Sequence, residues 1–167
     1  MPVLLTDTGH YYEHISGVFN WADAQSDAQA RTFSGVHGYL ATVTSSVENA
    51  FLGILANDGW LGGSDQAIEG TWVWADGPEA GTVFWQGGVG GSSPTYASWG
   101  GGEPNNLGDE DYLHYSGGTW NDLSINNQSF GYFVEFDPPS GNAPAPLTLS
   151  LLVLGMLGLR LSSRRSR

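Results

Sequence analysis

The chain has 167 residues, with 17 acidic side chains against five arginines, no lysine and no cysteine. That length suits one domain of ordinary size. Residues 1–159 hold all the acids and one base, Arg31, so the body offers no basic face for phosphate and is no nucleic-acid binder; the missing cysteines exclude disulfides, zinc–thiolate sites and cysteine nucleophiles.

A body this acidic binds cations or stays soluble by self-repulsion. Seven Trp, seven Tyr and seven Phe promise a heavily aromatic core, and 25 glycines a loop-rich fold. The opening "MPVLLTDTG" is too short for a secretory signal and lacks its basic n-region. "HYYEHIS" (His10–Ser16) reads as an aromatic strand. In "NWADAQSDAQART", Asn20 is an N-cap, Asp23 lies in the first turn, and Trp21, Ala24 and Ala28 recur at helical spacing. "GYLATV" (Gly38–Val43) is a brief strand. A second helix follows in "SSVENAFLGILANDG", with Ser45 and Glu48 as a capping box, Val47, Phe51 and Leu55 on one face, and Asn57-Asp58-Gly59 as its stop. Beyond it, "WLGGSD", "TWVWADG", "DYLHYS" and "FGYFVEFD" read as short strands, with Trp72 and Trp74 alternating with Val73. Pro78–Asp109 is too long and glycine-rich for a simple connection, and loops of that length are usually functional or disordered.

At Pro138 the composition changes. "PPSGNAPAP" is a proline-rich linker (138–146), and "LTLSLLVLGMLGL" is an uncharged apolar run ahead of "RLSSRRSR". Those 13 residues would span about 20 Å as a helix, short of the roughly 30 Å hydrocarbon core. They read as a short membrane segment or a processed sorting tail with its arginines on the cytoplasmic side.

The chemistry gathers in "GEPNNLGDEDY", where Glu103, Asp109, Glu110 and Asp111 crowd two amides with no basic residue near. Unpaired carboxylates repel, and a hard cation with six to eight oxygen ligands would relieve them. Glu103, Asn105 and Glu110, with Asn121 and Asp122 of "WND", supply three carboxylates and two amides, a set that suits Ca²⁺ rather than zinc. Read singly, "EPNN" is also a polar turn. His10, His14, His37 and His114 show no ligand spacing.

Read in order, "WADAQ", "GYLATV", "SSVENAFL", "WLGGSD", "GTWVWADG", "FW", "GEPNN", "EDY", "WND" and "GYFVE" resemble a C-type lectin-like domain over residues 10–137. The resemblance implies an α+β fold with two helices, small antiparallel sheets and a long-loop region in Pro78–Asp109. It implies a principal calcium site at Glu103, Asn105, Glu110, Asn121 and Asp122, the same five residues hydrogen-bonding the vicinal hydroxyls of a sugar that completes the ion's shell. The Glu-Pro-Asn order is similar to the mannose-type subgroup (mannose, glucose, N-acetylglucosamine, fucose). An auxiliary calcium site would use Asp65, Glu69, Asn106, Glu110 and Asp111, although Asp65 and Glu69 also read as a solvated turn. Trp99 and Tyr96 are candidates for sugar packing or for the loop core. Members usually carry disulfides; Tyr112 and Val134 stand where cysteines are usual, so calcium is expected to carry a larger share of loop order.

The tail resembles PEP-CTERM sorting signals without the central glutamate, Pro144-Ala145-Pro146 standing in its place. The organisation implied is a segment 1–9, the domain 10–137, the linker 138–146 and an apolar, basic-ended tail 147–167. The expectation is a non-enzymatic carbohydrate-binding module on an exported or surface-attached bacterial protein, touching the membrane through its C-terminal segment. The alternative is a protein- or matrix-binding domain whose calcium only orders the loops. No oligomeric state is implied.

Overall fold

The computed structural model describes residues 1–127 and 130–139. The linker from residue 140 onward and the apolar, basic-ended tail lie outside the described residues. Among the described residues, no helix is long and apolar enough to cross a membrane.

The elements run β1 (Val3–Leu4), β2 (Tyr11–Phe19), α1 (Trp21–Ala30), β3 (Thr32–Phe33), β4 (Val36–Leu40), α2 (Ser46–Leu55), β5 (Asp58–Ser64), β6 (Thr71–Trp74), β7 (Val83–Gln86), β8 (Tyr112–Ser116), β9 (Thr119–Leu123) and β10 (Phe130–Phe136). The fold is of the expected α+β class, with two helices and mostly antiparallel strands. β2 and β10 pair at the base, β4 pairs with the other edge of β10, and β5 leads outward to β6–β7 and to the β8–β9 hairpin. A single-residue parallel pairing, Tyr132 with Trp60, joins β10 to β5.

Local chemistry explains both helices. Asn20 caps α1 by accepting from the Asp23 N–H at 2.8 Å, and Trp21, Ala24 and Ala28 are buried at the predicted spacing. Trp21 also donates its indole N–H to the Leu61 carbonyl at 2.7 Å, locking α1 onto β5. Ser45 and Glu48 pair as expected, the Ser45 hydroxyl lying 3.1 Å from the Glu48 carboxylate and 3.2 Å from the Glu48 N–H, although the carboxylate takes the backbone N–H of Thr44 (2.8 Å) and not that of Ser45. The expected apolar face of α2 is corrected in part: Phe51 and Leu55 are half-buried and pack against the core, but Val47 is 46% exposed, and the fully buried residues are Glu48, Asn49 and Leu52. Two polar side chains turn inward because each is fully engaged: Asn49 donates to Gly118 O (2.7 Å) and accepts from the Trp120 indole (2.8 Å), fastening α2 to the β8–β9 hairpin.

β7 lies inside the stretch expected to be one long loop. It brings Phe84 into the core, stacked on Trp74 at 4.2 Å, with Trp120 edge-on to both. Trp99 packs on Trp72 (4.9 Å) and Trp120 (6.0 Å), and Tyr96 on Trp120 (5.7 Å). These two residues therefore pin the loops to the core. Tyr112 and Val134, at positions where cysteines are usual, are both buried, and Tyr112 packs against Trp21.

The base is closed by a buried polar network. Glu135 is 1% exposed and accepts from His10 Nδ1 (2.5 Å), the Tyr12 hydroxyl (3.1 Å) and the Thr42 N–H (3.0 Å). The Tyr12 hydroxyl also lies 3.0 Å from the Glu48 carboxylate. The bond to Glu135 raises the His10 pKa above its ordinary value, against the opposing effect of burial. A group raised in the folded state stabilises fully below its unfolded pKa, and that contribution is lost as pH rises through the folded value. Urea unfolding of the protein and of His10→Gln at pH 6, 7 and 8 should therefore show a stability difference that shrinks as pH rises from the ordinary histidine range upward. A difference that does not change with pH would show that the His10 charge does not contribute.

Candidate functional site

The loop after β7 folds back on the β8–β9 hairpin and holds the "EPNN" segment against it. Gly100 donates to the Trp120 carbonyl at 2.8 Å, and Trp120 donates to the Ser98 carbonyl at 2.8 Å. The Glu103–Pro104 peptide is cis, and Pro104 is buried. Asp122 is 1% exposed, and its carboxylate accepts from the backbone N–H of Asn105 (3.1 Å) and of Asn106 (2.7 Å). One buried side chain thus sets the backbone that presents two amides. The Asn105 amide donates to Glu103, and its oxygen accepts from the Leu107 N–H at 2.8 Å. Glu110 closes the turn from the other side: its carboxylate accepts from Leu107 N–H (3.1 Å), and its own N–H donates to Asn106 Oδ1 (2.7 Å).

Glu103, Asn105, Glu110 and Asp122 are therefore brought together. Asn121 is set apart. Strand alternation puts it on the outer face of the hairpin, opposite His114, while Asp122 faces inward opposite Leu113. Asp65, Glu69, Asn105, Asn106 and Asp122 share one small cleft of about 110 Å³, whereas Glu103 and Asn121 line a second cavity of about 370 Å³. The candidate principal set sits on the ridge between them.

Of the auxiliary residues, Asp65 is 2% exposed. Its Oδ2 accepts from the Gly70 N–H at 2.9 Å, and its Oδ1 is buried with no partner. Glu69, Asp109 and Asp111 bring carboxylate oxygens within 4.8 Å of one another. Asp109 had no role from the sequence. The acids of Asp109-Glu110-Asp111 give no sign of where Asp109 turns, because its φ of 79° is left-handed and re-aims the side chain.

The electrostatics are those of acids without counter-ions. Among the described residues, the ion pairs are Met1 N-terminus–Glu13, His10–Glu135 and Arg31–Asp27, none of them at this site. Burial pushes the Asp65 carboxyl up to about 7, opposed by the Gly70 N–H and reinforced by Glu69 and Asp111. Burial also raises Glu103 and Glu110, with Asp122 adding to each, and raises Glu69 and Asp111, with Asp109 adding to both. A hard divalent cation fits this donor set. Its groups are all carboxylate or amide oxygens, the buried Asp65 Oδ1 lacks any other partner, and no histidine belongs to the cluster.

No family model matches the chain. Over 135 residues it is 42% identical to Halomucin of Haloquadratum walsbyi, a match that covers 77% of this chain and 1% of that protein. It is 33% identical over 126 residues to C-type lectin domain family 4 member M of Nomascus concolor, covering 73% of this chain and 28% of the relative. The chain thus spans less than a third of the curated relatives it matches. Among solved structures, the EPNH mutant of the lectin CEL-I superposes with a TM-score of 0.62 at 29% identity, covering 81% of this chain and 93% of the other. The cow C-type carbohydrate-recognition domain of CD23, crystallised with a GlcNAc2Man3 oligosaccharide, gives 0.60 at 25% identity, covering 75% and 86%.

Proposed function

From the premise that this chain has the C-type lectin-like fold, we propose that residues 10–137 form a calcium-dependent carbohydrate-binding module of mannose-type specificity, without catalysis. The observation that carries this reading is the Asp122 carboxylate. It orders the backbone of Asn105 and Asn106 beside Glu103 and Glu110, in a cluster with no basic side chain. Glu103, Asn105, Glu110 and Asp122 would hold the principal ion, and Asn121 would reach it from the Glu103 side, where the two line one cavity. Asp65, Glu69, Asn106, Glu110 and Asp111 would hold an auxiliary one, and Asp109, which clusters with Glu69 and Asp111, joins that set. When bound, the ion supplies open positions for two vicinal sugar hydroxyls.

The protein's own groups do the rest. Carboxylates accept hydrogen bonds from the hydroxyls and amides donate to them, so recognition follows the order Glu-Pro-Asn. The partners supporting this reading include a relative named as a C-type lectin and a neighbour crystallised with a mannose-containing oligosaccharide. The tail beyond the linker would sort the module to a bacterial cell surface or anchor it at the membrane, and clustering there would raise a weak single-site affinity by avidity.

The test is retention on immobilised mannose in millimolar calcium. Retention that is released by a chelator and by free mannose, and far less by galactose, is the expected outcome. Retention indifferent to chelator, or binding to a protein coat that mannose does not displace, overturns the proposal in favour of a matrix-binding domain.

A further inference from the structure

The outer face of α2 carries no charge, in a body that holds 17 acids. Its exposed residues are Ser46, Val47, Ala50, Gly53 and Ile54. Val47 and Ile54, the latter 79% exposed, flank Phe51 at helical spacing and form one stripe with it. The Phe51 ring meets Tyr12 edge-on at 5.6 Å. Val3 pairs with Tyr12 across β1 and β2, so its side chain stands on the same side of the sheet, and it is 46% exposed. An apolar band open to solvent therefore runs from α2 onto β1.

The chain leaves the described structure beside this band. Phe136, the last residue of β10, pairs with Tyr11, and Pro138 lies 3.5 Å from where a Cβ on Gly9, just before β2, would stand. α2 begins at the same place, since the Tyr12 hydroxyl lies between Glu48 of its first turn and Glu135 of β10. Beyond Pro139, residues 140–146 lead to the apolar run 147–159. Extended, that linker reaches up to about 25 Å, against about 15 Å for the whole length of α2. Arg160, Arg164, Arg165 and Arg167 follow the run, whereas every acid precedes it. Asp7, between β1 and β2, and Asp58, just past α2, are exposed acids at the ends of the elements that bear the band.

We propose that in aqueous solution the apolar run 147–159 docks in cis on the α2–β1 band, with the arginines behind it facing the domain's acids. Charge selects this occupant. A second copy would bring an equally acidic body, and an anionic lipid surface would bring phosphates, so both are repelled. The tail is the one cationic stretch of the chain. As a helix the run would span about 20 Å, too short for the roughly 30 Å hydrocarbon core but long enough to cover the band. The inference stands apart from the sugar reading and gives the tail a shielded state besides the anchoring proposed for it.

The test places a nitroxide on Ser162→Cys in the full chain, which has no cysteine of its own. The methyl NMR signals of Val47 and Ile54 should lose at least about half of their intensity, because so short a linker gives an effective concentration in the mM range and populates even a contact with a dissociation constant of about 1 mM. The loss should persist on dilution and disappear when the nitroxide is reduced. Ile54→Asp, at an exposed position, should restore the Val47 signal, and Leu154→Asp should restore both from the tail side, which keeps the test intact if the first variant fails to fold. Full intensity in the labelled chain, or a loss that survives both variants, overturns the docking. So does a loss that passes from a nitroxide-labelled copy to an isotope-labelled one, which would make the band a contact between copies. Broadening of Val47 and Ile54 by nitroxide-bearing lipids in phosphatidylcholine vesicles, with none from the tail label in lipid-free buffer, would assign the band to a bilayer and overturn it as well.

Discussion

Asp122→Ala is expected to abolish calcium-dependent sugar binding, a loss of at least about 100-fold, and to cost roughly 3–6 kcal/mol of stability even without calcium. The second figure follows from two hydrogen bonds to a charged acceptor at about 1.5–3 kcal/mol each. The Asn105 and Asn106 N–H groups that the carboxylate holds would lose that acceptor. Asn105→Ala is the informative companion. Its side chain is exposed, so its removal should cost little apo stability yet still remove a proposed ion and sugar ligand. Chemical denaturation in chelator measures the first quantity, and calorimetry with mannose in calcium the second. The proposal survives only if both variants lose binding while Asp122→Ala alone unfolds early; sugar affinity retained in both would refute the site.

Much of this fold is legible in the sequence because local signals and long-range packing agree. The Asn20 cap and the Trp21, Ala24, Ala28 stripe are short-range features, and α1 forms where they place it. α2 forms in the expected place, with Phe51 and Leu55 on the core as expected but Val47 exposed. Periodicity assumes that apolar side chains face inward, whereas Glu48 and Asn49 are buried by partners far along the chain: Tyr12, Gly118 and Trp120. β7 is a run of only four residues set among glycine-rich turns, and its pairing with β6 fixes it as a strand. The same division holds at the site. The acids of "EPNNLGDED" suggest a cation from composition alone; Asp109 and Asp111 meet with Glu69, while Glu103 and Glu110 flank the Asn105 turn. Which of them share a cleft depends on backbone geometry that spacing does not encode. Asp109 is re-aimed by its left-handed conformation, and Asn121 falls on the opposite face of β9 from its neighbour Asp122.

Calcium should raise the thermal midpoint by about 10 °C. A ligand that binds only the folded state stabilises by about 2.7 kcal/mol at 100 times its dissociation constant, and a domain of this size gains roughly 4 °C per kcal/mol. The effect should be large here because no disulfide staples the loops. The aromatic pins Trp99 and Tyr96 secure the stretch before Gly100, but nothing comparable secures Gly101 to Asp111, most of which is exposed. That segment is held by Asp122 and by its own carboxylates, which repel one another until a cation joins them. If a second ion occupies the cleft at Asp65 and Glu69, Asp65→Asn should remove part of the shift while leaving sugar retention measurable, since Asp65 lies outside the principal set. Scanning calorimetry in chelator, in millimolar magnesium and in millimolar calcium distinguishes the cases. A calcium-specific rise that Asp122→Ala eliminates is the expected pattern, and equal midpoints in all three solutions would mean that the acidic cluster orders itself without an ion.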